Sequence, residues 1–307
     1  MSRFTSLLLA AGGGTRLRPL TDRIPKPALP LLDVPLGAHG LADLAAVGGP
    51  VFVNLSPAHE LVRHALSPFA SGAEFLLELP EPYGSAGTLR CFKERFAGPV
   101  VTRNADLLTD ASVLDAIAAH VAGGASATIV TQEVSQGADL ISQDGRAVRF
   151  VDRRAGSIAG DLWLGMSVLE RETLELIGPD LPRDLASGLL AQLIERGEVA
   201  VCRHDGYFMD VGTIERYLAA TEDVLYGRVP VTITEPGDVV EVDDGLAYVG
   251  PGASVPLHCL RAGGVVLAGA EVADDAIVER AIVWPNERVP AGTYVTEGVW
   301  AFGALQR

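Results

Sequence analysis

Within residues 16 to 26 lie Arg16, Arg18, Arg23 and Lys26, with Asp22 as the only acid among them. They follow an apolar run, Leu7 to Ala11, and three consecutive glycines, Gly12, Gly13 and Gly14. The run reads as a buried strand, and glycines at its tip have no Cβ to keep a ligand off the backbone. Exposed N–H groups on such a turn, with cations beside them, can cradle a polyphosphate. Spacing excludes two familiar versions of that loop. A P-loop needs lysine and then Ser or Thr after its last glycine, and this loop continues Thr15-Arg16-Leu17; a dinucleotide fingerprint counted from Gly12 puts Leu17 at its last glycine. The alternative reading is a solvated basic turn.

Composition bears on that choice. The chain of 307 residues has a formal charge of −15, so a basic island suits an anionic small molecule better than nucleic acid. Lys26 and Lys93 are the only lysines among 24 basic residues. A chain that uses arginine almost throughout keeps lysine where a compact, mobile ammonium is wanted, and Pro25 and Pro27 hold Lys26 in an extended segment. The 48% hydrophobic content can bury a large core, in one large domain or two smaller ones. Cys91, Cys202 and Cys259 are far apart and odd in number, which points to reduced, mostly buried fillers without disulfide or zinc. The N-terminal apolar stretch is too short for a bilayer span and runs into glycines and arginines, so the expectation is a cytoplasmic protein with no membrane partner.

The elements that must position these residues alternate. Strands are predicted at Ser6 to Ala10, Val51 to Leu55, Glu74 to Leu77, Pro99 to Thr102 and Ala127 to Thr131. Helices are predicted near Leu41 to Val47, Ala58 to Leu66, Thr88 to Phe96 and Ser112 to Val121. Alternation of this kind predicts an α/β class, a Rossmann-like mixed and mostly parallel sheet with helices on both faces, over residues 1–227. Ligands of such sheets sit beyond the carboxyl ends of strands, which is where the glycine loop lies and where Asp106 follows Val100-Val101. Residues 145–154 and "GDLWLGMSVL", which contains Gly165, read as antiparallel strands; Asp184 to Glu195 and Thr213 to Tyr226 read as helices. From residue 228 to 307 the helical period vanishes. Apolar residues recur six apart, as Val266, Val272, Val278 and as Ile277, Val283, Val289, Val295, with an earlier pair Val249 and Val255. This predicts a left-handed β-helix-like hexapeptide domain, against the alternative of an ordinary β-meander.

With these features in place the chain resembles the sugar-1-phosphate nucleotidylyltransferases, and among them the mannose-1-phosphate guanylyltransferase-like proteins. The resemblance rests on "AAGGGTRLRPLT" and "PKPALP" at 10–21 and 25–30, "GSAGTL" at 84–89, "NADLLTD" at 104–110 and "GYFMDVGTIERYL" at 206–218. It implies transfer of a nucleoside monophosphate from an NTP to a sugar 1-phosphate, with pyrophosphate leaving and Mg²⁺ as cofactor. Catalysis of that reaction is mainly positioning and electrostatics. By motif, Leu9, Ala10, Ala11 and Gly12 would face base and ribose, Gly13, Gly14, Thr15 and Arg16 the triphosphate, and Lys26 the reaction centre. Gly84, Ser85, Ala86 and Gly87 would wall the nucleotide, and Asp106 and Asp210 would hold Mg²⁺. Arg16, Lys26, Asp106 and Asp210 are thus the expected catalytic set, and the tail is a candidate surface for homo-oligomers.

The pattern departs from the family in three places. "FVDRRAG" stands where the family has Glu-Lys-Pro, so Asp152 and Arg153, with Gly165, are the expected sugar-phosphate residues. Ala105 replaces a glycine before the first aspartate, and Phe208 is the only aromatic kept two residues before the second. An alternative class follows from these departures: a catalytically weak relative that binds nucleotide sugar and regulates a partner.

Overall fold

The structure is a computed structural model and describes residues 4–56, 60–152 and 158–307. By contact density the chain forms two compact units. The first holds the chain up to Gly12 with Gly40–Ala105 and Ala111–Phe208; the second holds Gly13–His39, Asp106–Asp110 and Met209–Arg307.

The first unit is built on a nine-stranded sheet: β1 (Thr5–Leu9), β2 (Val51–Leu55), β3 (Glu74–Leu77), β4 (Val100–Asn104), β5 (Ala127–Val134), β6 (Leu140–Gln143), β7 (Arg146–Phe150), β8 (Gly160–Leu169) and β9 (Val199–Arg203). Their order is β3-β2-β1-β4-β8-β5-β9-β7-β6. The run β3-β2-β1-β4 is parallel throughout. On its far side β8 pairs antiparallel with both β4 and β5, and β7 is antiparallel to β9 and β6, so the sheet is mixed and its parallel character is concentrated in one half. Leu7 and Leu8 of the central strand are completely buried, as a strand covered on both faces requires. The helix expected from Thr88 begins three residues earlier, as Ser85–Cys91, because Gly84 at φ 77° turns the chain into it. The helix expected over Asp184 to Glu195 opens with a π-helical stretch, Ala186–Leu190, before its α-helical part, Ala191–Glu195.

The second unit joins the basic strap to the tail. A short hairpin, Pro30–Leu31 with Val34–Pro35, follows Lys26; a two-stranded pair joins Leu107–Thr109 with Phe208–Asp210; and the helix Ile214–Leu225 follows, its N-terminus capped by the Thr213 hydroxyl, which accepts from the Arg216 amide. In the tail, short strands pair in parallel at a constant offset of 17 residues: Gly264 with Ala281, Ile282 with Val299, Glu271 with Arg288 and Ile277 with Tyr294. Val266, Val272, Val278, Val283, Val289 and Val295 are among the residues that share the tail's core. The six-residue step therefore shortens to five between Val278 and Val283. Ile277, placed by the sequence pattern in the inward set, is only half-buried, because the inward register passes through Val278 instead. Residues on both sides of the expected boundary at 227/228 lie in this second unit. Among the cysteines, all free, Cys259 is buried and Cys202 half-buried, but Cys91 is exposed at the end of its helix instead of filling the core.

Candidate active site

Three segments of the second unit converge on one cluster. The tip of β4 carries the chain through Ala105 to Asp106, whose carbonyl accepts the Val211 amide at 3.1 Å and so sets Asp210 beside it. The Lys26 ammonium donates to Asp106 Oδ2 at 2.5 Å and to Asp210 Oδ1 at 3.3 Å. Arg16 Nη2 and Arg216 Nη1 each stand 3.6 Å from Asp210 Oδ2. Three cations thus meet two carboxylates. Asp106 Oδ1 is buried with no hydrogen-bond partner, an acceptor left open for a further cation.

Local backbone explains how the strap reaches this point. Gly14 takes φ 57° and opens a 3-10 turn, Thr15–Leu17, while the Thr21 hydroxyl donates to the Gly14 carbonyl at 2.9 Å. Gly12 and Gly13 are exposed, with open space where a Cβ would stand. A Cβ on Gly212 would lie 2.9 Å from Arg16 Nη2, so the guanidinium rests directly over that glycine. The Tyr217 hydroxyl donates to the Pro30 carbonyl at 2.6 Å, and burial pushes its phenol pKa up, so it stays a donor. The basic island does not act as one group. Arg18 pairs with Asp22 at 3.0 Å and Arg23 lies 4.3 Å over the Phe302 ring, which leaves Arg16 and Lys26 at the carboxylates.

The first unit holds a second polar network. Asn54 Oδ1 accepts the Ala10 amide at 2.6 Å, and its Nδ2 donates to Glu78 Oε1 at 2.8 Å and to the Thr88 hydroxyl at 3.0 Å. The Thr88 hydroxyl also donates to Glu78 Oε1, and Glu78 Oε2 accepts the Tyr83 amide at 2.6 Å. Glu78 is fully buried, yet every donor around it is used, which is how a carboxylate survives burial. This network ties the end of β1 to the loop Gly84-Ser85-Ala86-Gly87. Ala86 and Gly87 give their amides to the Arg183 carbonyl, and the Ser85 hydroxyl accepts the Leu185 amide at 2.7 Å, so that loop is a packed wall and no open anion cradle.

Asp152 borders an open cleft of about 780 Å³ in the first unit, with Asp139, Phe150, Trp163, Asp184 and Ser187. Gly165 is buried in β8, at φ 69°, inside the stretch where the register against β5 shifts, a bulge that only glycine enters without strain. Arg153 lies outside the described residues. Asn54, Glu78, Thr88 and Arg216 were missed from sequence. The usable signals were an acid inside an apolar run, "LLELP", and an arginine three residues after a helix cap.

The nucleotidyl transferase family model matches residues 5–227, and this chain belongs to that family. Similar relatives include the Arabidopsis thaliana protein named "Probable mannose-1-phosphate guanylyltransferase 2", 26% identical over 96% of this chain and 88% of its own length. The UTP–glucose-1-phosphate uridylyltransferase of Synechocystis is 25% identical over 92% and 85%, and the mannose-1-phosphate guanylyltransferase of Mycobacterium tuberculosis 24% identical over 94% and 82%. Among solved structures, one assigned as a glucose-1-phosphate thymidylyltransferase from Bacillus anthracis superimposes with a TM-score of 0.62 at 18% identity, covering 71% of this chain and 94% of that one. That likeness is one of fold.

Proposed function

We propose that this chain transfers a nucleoside monophosphate from an NTP to a sugar 1-phosphate and releases pyrophosphate. One observation carries the reading: the Lys26 ammonium lies between Asp106 and Asp210 with Arg16 alongside, in a chain whose family and relatives are nucleotidyl and sugar-phosphate nucleotidylyltransferases. Attack of one anion on another needs charge neutralised at the α-phosphate and the leaving group. Lys26 and Arg16 supply fixed positive charge there. Gly13, Gly14 and Thr15 let the phosphates approach the backbone, Leu9 to Gly12 face base and ribose, and Gly84 to Gly87 wall the nucleotide.

The two carboxylates suit Mg²⁺. They are hard oxygen donors and Asp106 Oδ1 is open, which fits an ion that keeps waters and binds substrate phosphates. Bound there, Mg²⁺ would polarise the α-phosphate and offset its growing charge. Asp152 and Gly165 support the sugar phosphate, with Arg153 in the family lysine's place. The tail's inward valines and parallel offset support the hexapeptide β-helix reading of 228–307, with the left hand that reading implies and a surface for homo-oligomers. No described helix is long and apolar enough to cross a membrane; a cytoplasmic site of action is part of the proposed reading.

The test is pyrophosphate release with Mg²⁺ over a panel of triphosphates and sugar 1-phosphates, read by mass spectrometry of the nucleotide sugar. Turnover with at least one pair is expected, lost in Asp106→Asn and Asp210→Asn. Normal turnover in both variants would remove the metal assignment.

A further inference from the structure

The tail takes no part in the chemistry above, yet the strap that carries Arg16 and Lys26 is tied to it. We propose that the turn at the C-terminal hairpin braces this strap, with Phe302 a positioning residue that acts on Lys26 through Arg23. The proposal rests on the reading of Lys26 as a phosphate-binding cation.

Two anchors flank Lys26. Upstream, the Arg23 guanidinium lies 4.3 Å over the Phe302 ring. Downstream, Asp33 accepts the Ala268 amide at 2.9 Å and the Tyr248 hydroxyl at 3.0 Å, and that hydroxyl is 3.1 Å from the Leu32 carbonyl. A Cβ on Gly250 would stand 2.3 Å from Asp33 Oδ2, so the strap's hairpin sits tightly against the first tail strands.

Phe302 is itself held in a built seat. It adopts φ 59° and Gly303 φ 73°, a left-handed pair that a bulky residue enters only when its surroundings impose it. The two-residue hairpin turn between Ala301 and Ala304 calls for this pair, and the Glu287 carboxylate fixes it by accepting the Phe302 amide at 2.7 Å and the Gly303 amide at 3.0 Å. The ring meets Trp284 edge-on, with centroids 5.4 Å apart. These contacts orient the aromatic face, and the Arg23 guanidinium lies over it.

Two residues, Ile24 and Pro25, separate Arg23 from Lys26, a reach of about 11 Å when fully extended. Pro25 and Pro27 stiffen that short span. With Arg23 seated and Asp33 bonded, the backbone on either side of Lys26 is fixed. Release of one anchor widens the ammonium's excursions and lowers turnover.

The experiment compares Phe302→Ala, Phe302→Leu and Phe302→Tyr in the full-length chain, by kcat and KM in the pyrophosphate assay and by hydrogen–deuterium exchange of peptides covering residues 14–29. For Phe302→Ala, kcat is expected to fall about two- to fivefold, the range of an exposed cation–π contact. Exchange over 14–29 should rise while peptides of β4 stay unchanged. Phe302→Tyr keeps the ring face and should match wild type; Phe302→Leu keeps bulk without it and should behave as Ala. Full recovery with Leu, or unchanged exchange in Phe302→Ala, overturns the proposal. If the wild-type chain turns over no substrate pair, the functional reading fails on its own, and exchange still decides whether Phe302 braces the strap.

Discussion

The Lys26 ammonium bonds Asp106 and Asp210 together, at 2.5 Å and 3.3 Å, and the residue is only 7% exposed. A divalent cation on the open Asp106 Oδ1 would bring a second positive charge to the same pair of carboxylates. Ammonium and proposed metal would therefore oppose each other until substrate phosphates gave the lysine another partner. Lys26→Met should bind Mn²⁺ more tightly than wild type in the absence of nucleotide, by about tenfold, or about 1.4 kcal/mol, while losing turnover. Titration followed by the Mn²⁺ EPR signal measures this directly. Weaker Mn²⁺ binding in the variant would mean that the lysine assembles the carboxylates and does not block them.

Arg16 offers a test by steric displacement. An alanine Cβ at Gly212 would stand 2.9 to 3.1 Å from three guanidinium atoms, too close to keep, but Arg16 is 65% exposed and can swing away at little cost. Gly212→Ala should leave the unfolding temperature nearly unchanged and lower kcat/KM about tenfold, the scale of one misplaced phosphate contact. Arg16→Ala should cost a similar factor, and the double variant little more than either. Additive losses would show that Gly212 acts on something other than Arg16.

What the sequence revealed, and what it hid, follows from the range of the interactions. Gly14, Lys26 and Asp106 stood out because each sits in a local pattern: glycines after an apolar run, lysine between prolines, an acid at a strand end; Asp210 was named only through the motif resemblance. Glu78 was not, since its partners Asn54, Tyr83 and Thr88 come from three separate segments and burial of a carboxylate shows only in the fold. The role of Arg23 was hidden for the same reason, whereas Arg18 has a local partner. Asp22 is close in sequence, but Phe302 lies far along the chain, and a count of positive charges cannot tell a seated arginine from a free one. In the tail the six-residue period was visible but its inward register was not. The five-residue step from Val278 to Val283 joins the two sets into one core, and only burial in the fold shows that Val278 and not Ile277 faces inward.

Glu78 joins the end of β1 to the Gly84 loop through both carboxylate oxygens. In Glu78→Gln one oxygen becomes an NH₂ that must face a donor, either the Tyr83 amide or the Asn54–Thr88 pair. One bond is replaced by two opposed donors, at about 1–3 kcal/mol. The unfolding temperature should drop by several degrees, and KM for the triphosphate should rise about tenfold with kcat less affected, because the loop is proposed to wall the nucleotide and touches no reacting atom. Steady-state kinetics beside a thermal scan separate the two effects. A fall in kcat alone would place Glu78 with the chemistry instead.

Asp33 supplies the pH dependence. Burial pushes its carboxyl pKa up, against the smaller opposing pull of the Ala268 amide and the Tyr248 hydroxyl. A raised folded-state pKa means that the native chain holds the proton more tightly than the unfolded one. The stabilisation from that proton is complete below the ordinary carboxylate value and is lost as pH rises through the folded value. Asp33→Asn carries no such proton, and its amide oxygen can still accept from Ala268 while the Tyr248 hydroxyl donates to the Leu32 carbonyl. Other carboxylates titrate alike in both chains and cancel in the difference. Between about pH 7 and pH 4, wild type should therefore gain in unfolding temperature relative to Asp33→Asn as the solution is acidified, the gap widening through the carboxylate range. A relative loss on acidification would mean that the ionised form, with its two donors, is the one that holds the strap to the tail.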